Sequence, residues 1–271
     1  MKQLALASTV CLLVSGSFFA NSIEPSSGGS SITEPSQQSI KFFKTQVANN
    51  RSVGNALSSL LQRYPEKTGD FLSIAFTAYP DKYEEIISAS VSTNPMFIDQ
   101  IIMVANQHKI SNPAEIVKIA VNAEPSYAEI TTREACKVSP DYFNEIIKTA
   151  VHAEPDSADQ IAQRLVKAYP NKTMEILVTT IKEVPYVGKY ILDALLATVD
   201  EGSDESENMI IVSVEQLTEY PDALNRLVAL AHDQNIDAEK VRDSAIKGGL
   251  SEDAVALLIE KHYTEADDSI N

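Results

Sequence analysis

Residues 125–154 read PSYAEITTREACKVSPDYFNEIIKTAVHAE, which is two 15-residue units that each begin with proline. The same spacing continues in both directions along the chain. Prolines on this 15-residue grid are Pro65, Pro80, Pro95, Pro125, Pro140, Pro155, Pro170 and Pro185. At the one vacancy between them, Ile110, a proline follows three residues later as Pro113. Unconstrained prolines would be spread over all registers, so the spacing indicates an internal repeat.

Within each unit, counted from the proline as position 1, apolar residues recur with helical spacing. Positions 7 and 8 are mostly aliphatic and position 11 is mostly small, as in Ile146, Ile147 and Ala150. At about 100° per residue these positions share one helical face, while the largely polar positions 2, 6, 9 and 13 lie opposite. The alternation that a strand requires is absent. Each unit is therefore predicted to form one amphipathic helix of about 11–12 residues, followed by a tight turn.

The prolines are expected at the first residue of each helix. The N–H that proline lacks would have no partner there, and its fixed φ suits a helix. The residue before each proline is disfavoured in the helical region, so the preceding helix ends there. Asp81, Asp141, Asp156 and Asp222 follow their prolines and place negative charge at the positive end of the helix dipole.

A 30-residue period overlies the 15-residue one. Position 6 is glutamate in alternate units, at Glu85, Glu115, Glu145 and Glu175, which we call the acidic series. Alternate helices thus have different environments, and such short helices can bury a broad apolar stripe only by stacking. The pattern resembles that of α-solenoids as an architecture. It predicts an all-α fold: an α-solenoid of short antiparallel helices, built from 15-residue units in 30-residue hairpins, with a C-terminal helical cap.

The ends of the chain differ from the repeat. Residues 1–22 combine Lys2, an apolar run and Ala20-Asn21-Ser22, which is typical of a signal peptide cleaved after Ser22. The Ser/Gly-rich residues 23–38 are predicted to be a flexible leader.

The helical-repeat array is predicted to cover residues 39–235. It is interrupted at residues 200–207, DEGSDESE, which we expect to form an acidic insertion loop. Residues 236–264 are predicted to be C-terminal cap helices, with Ser251 beginning the last one, and residues 265–271 a tail.

The charge and the cysteine content limit which cellular compartments and which classes of partner are possible for this chain. The formal net charge is −16, which argues against binding to nucleic acid or to anionic membranes. Cleavage after Ser22 would remove Cys11 and leave Cys136 as the only cysteine, so no internal disulfide is possible and stability must come from packing. The signal is of bacterial type, and no later segment is apolar enough to span a membrane. We therefore expect a periplasmic or extracellular protein.

The acidic series is the best-defined candidate for a partner-binding site. Stacked units would align Glu85, Glu115, Glu145 and Glu175 along one side, where they could attract a basic partner or a cation. The alternative is a solvated helix face, on which Glu115–Lys118 and Glu145–Lys148 form pairs three residues apart.

The sequence offers no catalytic or metal-binding constellation. Cys136 could act as a nucleophile with His152, but it occupies position 12, where other units have valine or isoleucine, so a buried apolar role is favoured. The histidines lack metal-ligand spacing, and no phosphate-binding or nucleophile-elbow motif is present. No cofactor or metal is predicted. The tyrosines before prolines, Tyr64, Tyr79, Tyr169 and Tyr220, are interpreted as packing between helices.

These observations favour an exported, non-enzymatic helical-repeat scaffold that binds a protein or peptide partner, preferably a basic one, in the cell envelope. One alternative is an envelope hydrolase with a carboxylate site in the solenoid groove. Another is a structural, self-assembling envelope component. The fold class alone does not choose between them.

Overall fold

A computed structural model describes residues 34–200 and 202–264. The predicted signal peptide, the leader up to residue 33 and the tail lie outside these residues. The described part of the chain is all-helical, with fifteen α-helices and no strand. The helices are α1 (Gln37–Asn50), α2 (Val53–Arg63), α3 (Thr68–Ala78), α4 (Tyr83–Thr93), α5 (Ile98–Gln107), α6 (Pro113–Ala123), α7 (Ala128–Val138), α8 (Phe143–Ala153), α9 (Ala158–Ala168), α10 (Thr173–Glu183), α11 (Gly188–Leu196), α12 (Asp204–Gln216), α13 (Pro221–Asp233), α14 (Ala238–Lys247) and α15 (Glu252–Ile259).

Each grid proline begins a three-residue 3-10 turn, and the α-helix starts only after that turn. At Pro80, for example, the N–H of Tyr79 donates to the carbonyl of Ala75 at 2.9 Å, and the Tyr79 carbonyl accepts from the N–H of Lys82 at 3.0 Å. The expectation that proline is the first α-helical residue is therefore wrong at the grid positions. The tighter i→i+3 bond lets the chain pass from one helix to the next within three residues.

Proline does begin the α-helix at two positions off the 15-residue grid, Pro113 and Pro221. At the vacancy in the grid, α5 ends early and Lys109 adopts a left-handed conformation, with φ of 50°. Asn112 then caps α6, since its side chain accepts a 2.7 Å hydrogen bond from the N–H of Ala114. An asparagine cap replaces the 3-10 turn here.

Every helix packs against its sequence neighbour, and most also pack against the helix after next. The even-numbered helices contact one another in order from α2 to α14, and so do the odd-numbered helices from α1 to α15. We call these the even row and the odd row. Side-chain hydrogen bonds have the same two-unit span, as between Ser58 and Thr93 and between Asn144 and Thr179.

The core is one continuous cluster that extends from Phe43 in α1 to Ile259 in α15. The positions that the repeat assigned to the buried face supply it. Ile146, Ile147 and Ala150 are fully buried. The small residues at position 11 allow the helices to approach closely, and the aliphatic residues at positions 7 and 8 fill the space between them.

Two predicted segment boundaries differ in the structure. Helix α1 begins at Gln37, inside the segment expected to be leader, because the Ser36 side chain caps it by accepting from the N–H of Ser39 at 3.1 Å. Helix α12 begins at Asp204, inside the segment expected to be an acidic loop. Ser203 caps this helix, and three acidic side chains in its first turn lie at the positive end of the dipole.

At the C-terminal end, Asp237 caps α14 and Ser251 caps α15. Between them, Gly249 has a φ of 103°, a conformation that glycine tolerates and that ends α14. The last helix changes after Ile259 into a π-helical turn, Glu260–Thr264. Across the described residues, no helix has both the length and the hydrophobicity needed to cross a bilayer.

Candidate partner-binding groove

The structure places the acidic series on consecutive helices of the even row, α4, α6, α8 and α10. Each glutamate is the third residue of its helix. A carboxylate in the first turn is stabilised by the helix dipole.

Two members of the series form hydrogen bonds with the start of the preceding even-row helix. Glu85 Oε1 accepts from the backbone N–H of Gly54 in α2 at 2.8 Å. Glu145 Oε1 accepts from the Nδ2 of Asn112, the capping residue of α6, at 3.0 Å. These carboxylates therefore join neighbouring helices of the even row, a role that the 30-residue period does not predict.

The other two members pair with lysines close in sequence. Glu115 lies 3.4 Å from the Nζ of Lys118, and Glu175 lies 3.0 Å from the Nζ of Lys172. The anticipated partner of Glu145, Lys148, instead pairs with Glu183 of α10 at 2.9 Å. Exposed pairs of this kind contribute at most about 1 kcal/mol each, so a competing cation can displace the lysine from Glu115.

A groove of about 680 Å³ between α6 and α8 brings two members of the series together. Its polar lining consists of Asn112, Glu115, Lys118, Asn122, Glu145, Thr149 and His152. Glu145 and Asn122 are exposed and Glu115 is partly exposed, so the carboxylates and amides are accessible from solvent. Carboxylates bind ammonium or guanidinium groups, and the amide and hydroxyl side chains can bond to a peptide backbone.

The candidate nucleophile Cys136 is buried. Its side chain is 1% exposed, and burial raises the pKa of the thiol to about 12. His152 is exposed and its Nε2 lies 3.3 Å from Glu183. The buried apolar role of Cys136 fits this environment, because a thiol that stays protonated is a poor nucleophile.

One serine–histidine contact in the structure is not predicted by any motif in the sequence. Ser73 Oγ lies 3.0 Å from His108 Nε2, and burial lowers the pKa of His108. The two residues occupy positions 9 and 14 of units two apart, and Ser58 and Thr93 occupy the same two positions and are also hydrogen-bonded, at 2.8 Å. The recurrence identifies the Ser73–His108 contact as part of helix packing.

The tyrosines that precede prolines divide into two groups. Tyr79 packs edge-on against Phe43, with ring centroids 6.2 Å apart, and Tyr169 packs against Phe143 at 5.3 Å. Tyr64 and Tyr220 are more than 40% exposed. Within the described residues, no group of three or more histidine, cysteine or acidic side chains is arranged to hold a metal ion.

Two further grooves open between helices of the same row. One, of about 450 Å³, lies between α12 and α14, where Lys247 pairs with Glu215 at 2.8 Å and Lys240 with Glu207. The other, of about 560 Å³, lies between α1 and α3 and has an apolar lining that includes Phe71 and Ile74.

Comparison with known proteins does not assign the chain to a family. No protein-family model matches it, and no curated protein or solved structure shows significant similarity.

Proposed function

We propose that this chain is an exported, non-enzymatic α-solenoid that binds a basic peptide segment of an envelope protein. The groove between α6 and α8 is the proposed binding site. The observation that carries the proposal is that Glu115 and Glu145, 30 residues apart in sequence, line the same groove.

The solenoid part of the proposal rests on the two rows of helices. A helix that contacts the next helix and the one after it, over fifteen helices, has the neighbours expected in a stack of hairpins. Such stacks present repeated grooves between successive helices of one row. Extended peptides suit these grooves, because their backbone N–H and C=O groups are free to form hydrogen bonds with side chains that line the groove.

The chemistry of the groove favours a basic segment. Lysine or arginine of the partner would compete with Lys118 for Glu115 and would approach Glu145 from solvent. The chain as a whole has a net charge of −16, and its field would draw a basic peptide toward the groove. Asn122 and Thr149, on the facing helices, supply hydrogen-bonding groups for the peptide backbone.

Peptide titration tests this assignment. Fluorescence anisotropy would be measured with two labelled peptides of equal length, one rich in lysine and arginine and the other rich in glutamate. The basic peptide is expected to bind, and the double variant Glu115→Lys/Glu145→Lys to weaken binding by about tenfold or more. A matched control, Glu66→Lys/Asp99→Lys, makes the same charge change at exposed sites outside the groove.

Equal loss of affinity in the groove variant and the control would show a general field effect and would contradict a specific site. Unchanged affinity in the groove variant would also overturn the assignment. Circular dichroism of each variant establishes that the helices remain intact. Affinity capture from the host's own envelope, with and without the two groove substitutions, then identifies the partner.

Export is tested separately. Expression of the complete gene in its host, followed by mass spectrometry of the purified protein, is expected to give a chain that begins at Ile23. A chain that retains residues 1–22, or one found in the cytoplasm, would contradict export.

A further inference from the structure

Neighbouring helices of one row share a recurring contact, which joins position 9 of one unit to position 14 of the unit two further on. The 3.0 Å contact between Ser73 and His108 is one example. Between α8 and α10 the same two positions hold an ion pair, with Lys148 Nζ 2.9 Å from Glu183 Oε1. His152, at position 13 of α8, lies 3.3 Å from the other oxygen of that carboxylate. The Glu183 carboxylate is therefore held between two nitrogen-bearing side chains of α8.

The groove between α6 and α8 has the same arrangement without the acid. Its residues at positions 9 and 14 are Lys118 and Ala153, and both line the groove. Asn122 occupies the position that His152 has in the next unit pair, and it also lines the groove. Because the alanine side chain ends at Cβ, the place that corresponds to the Glu183 carboxylate is part of the open groove.

A second substitution widens the groove in the same way. Between α8 and α10, the Oγ1 of Thr179 donates to the Oδ1 of Asn144 at 3.3 Å. The corresponding residues in the groove are Thr149 and Ala114, so the Thr149 hydroxyl has no asparagine facing it. Alanine thus replaces a polar side chain of the neighbouring interface at two positions, and both positions line the groove.

The groove therefore retains groups that can hold a carboxylate. Lys118 pairs with Glu115 of its own helix, at 3.4 Å. A lysine or arginine of the partner that takes Glu115 releases the Lys118 ammonium, which can then pair with an acidic group of the same partner. Asn122 is exposed, and its amide N–H groups can donate to the second carboxylate oxygen. The exchange leaves every charge in the groove paired.

We propose that the groove binds a carboxylate of the partner at Lys118 and Asn122, in addition to the basic side chain at Glu115 and Glu145. This inference rests on the proposed function and adds that the partner segment carries both charges. Glu115 and Asn122 are seven residues apart, about 10 Å along the helix axis. An extended peptide covers that distance in about three residues. The carboxylate belongs either to a chain terminus or to an aspartate or glutamate side chain.

Three labelled basic peptides of one parent sequence test the inference by fluorescence anisotropy. The first has a free C-terminal carboxylate three residues after a lysine, and the second is the same peptide with an amidated C-terminus. The third is amidated and has glutamate three residues after the lysine. A carboxylate is expected to tighten binding about fivefold or more relative to the second peptide. A gain in the first peptide identifies a chain terminus, and a gain in the third identifies a side chain.

The sign of the effect separates a specific site from the general field. A carboxylate lowers the positive charge of the peptide, and the protein has a net charge of −16. Attraction by net charge alone would therefore make the second peptide, which has no carboxylate, the tightest binder. Tighter binding of a peptide that carries a carboxylate requires a cationic group close to it in the groove.

Two variants locate that group. Lys118→Gln is expected to abolish the preference for a carboxylate, while Lys182→Gln, which makes the same charge change at an exposed lysine of α10 outside the groove, should keep it. Ala153→Glu would supply the missing acid from the protein itself and should also abolish the preference. Its affinity for the second peptide should not fall, whereas a groove that is merely blocked would bind that peptide more weakly.

The outcomes distinguish this inference from the proposed function. If none of the three basic peptides binds, the proposed function is contradicted and this inference with it. If all three bind equally, or the second binds most tightly, the inference is overturned and the proposed function stands. A preference that survives Lys118→Gln would also overturn it. Circular dichroism of each variant establishes that the helices remain intact.

Discussion

The backbone N–H of Gly54 in α2 donates a 2.8 Å hydrogen bond to the carboxylate of Glu85 in α4. The contact joins helices that are neighbours in the even row. A Cβ atom built on Gly54 would lie 3.1 Å from both Cγ and Oε1 of Glu85 and 3.2 Å from the Cβ of Ala89. The absence of a side chain at residue 54 therefore allows the close approach that the hydrogen bond requires.

Replacement of Gly54 by alanine is expected to lower the free energy of unfolding by about 1 kcal/mol, as measured by urea denaturation. Alanine favours helix by up to about 1 kcal/mol, but the added methyl group must displace Glu85 or push α4 away. Gly69→Ala provides the control. Gly69 lies in α3, and the nearest atom to a Cβ built there is the Oε1 of Gln100, at 3.7 Å. The added methyl group has room, so Gly69→Ala should stabilise the protein by about 0.5–1 kcal/mol. Stabilisation by both substitutions would show that the approach of α2 and α4 is not tight.

Thr131 carries the one buried side-chain oxygen, among the described residues, that lacks a hydrogen-bond partner. Most units have isoleucine at this position. Thr131→Val should therefore raise the free energy of unfolding by about 1 kcal/mol, because it removes an unsatisfied hydroxyl while keeping the shape.

The adjacent Thr132 is a close control for that substitution. It is equally buried, but its Oγ1 donates to the carbonyl of Ala128 at 2.7 Å. Thr132→Val removes a satisfied group and should give no comparable gain. Equal gains at both positions would indicate that valine is favoured by packing alone.

The thiol of Cys136 should be protected from modification in the folded protein. With a pKa of about 12, only about one thiol in ten thousand is ionised at pH 8, and the side chain is 1% exposed. Labelling with a thiol reagent should therefore be at least a hundredfold slower in buffer than in denaturant. Fast stoichiometric labelling without denaturant would show that Cys136 is accessible.

The raised pKa of the Cys136 thiol predicts that the protein loses stability at alkaline pH. Burial raises the pKa of the thiol to about 12 in the folded chain, whereas the unfolded thiol releases its proton near the ordinary value of 9.0. The folded state thus binds more protons between these values, and the free energy of unfolding falls by a few kcal/mol as pH rises through this window. Cys136→Val should reduce that slope. Part of it will remain, because burial also raises the pKa of Tyr263 to about 12. An unchanged slope would contradict the prediction.

Gly248 marks a second close contact, between the end of α14 and α12. A Cβ there would lie 2.3 Å from the carbonyl oxygen of Glu215 and 2.6 Å from Cγ2 of Thr218. Because the nearer atom is backbone, Gly248→Ala should cost more than Gly54→Ala, about 2–3 kcal/mol in the free energy of unfolding. A loss below that of Gly54→Ala would show that α14 can move away from α12.

Local structure could be predicted from the repeat because it depends on residues within one unit. The buried face at Ile146, Ile147 and Ala150 follows from helical spacing alone. The 3-10 turns could not be predicted, because an α-helical start and a 3-10 start place the same demands on a proline.

The partners of the acidic series could not be predicted either. Glu85 and Glu145 are bonded to residues 31 and 33 positions earlier, and that pairing depends on the stagger of two helices that are not adjacent in sequence. The 30-residue period predicts that the four glutamates lie on one side of the stacked helices. It does not specify which glutamate pairs with a lysine, which bonds to the start of another helix and which faces solvent. The same stagger explains the omission of the Ser73–His108 contact.

The two-unit span of the side-chain contacts constrains how such a chain can change in length. A duplication or deletion of 30 residues keeps every later helix in its own row, so the acidic series remains within the even row. A change of 15 residues moves every later helix into the other row and divides the acidic series between the two rows. A rearrangement that preserves the contacts of the acidic series therefore adds or removes two helices at a time.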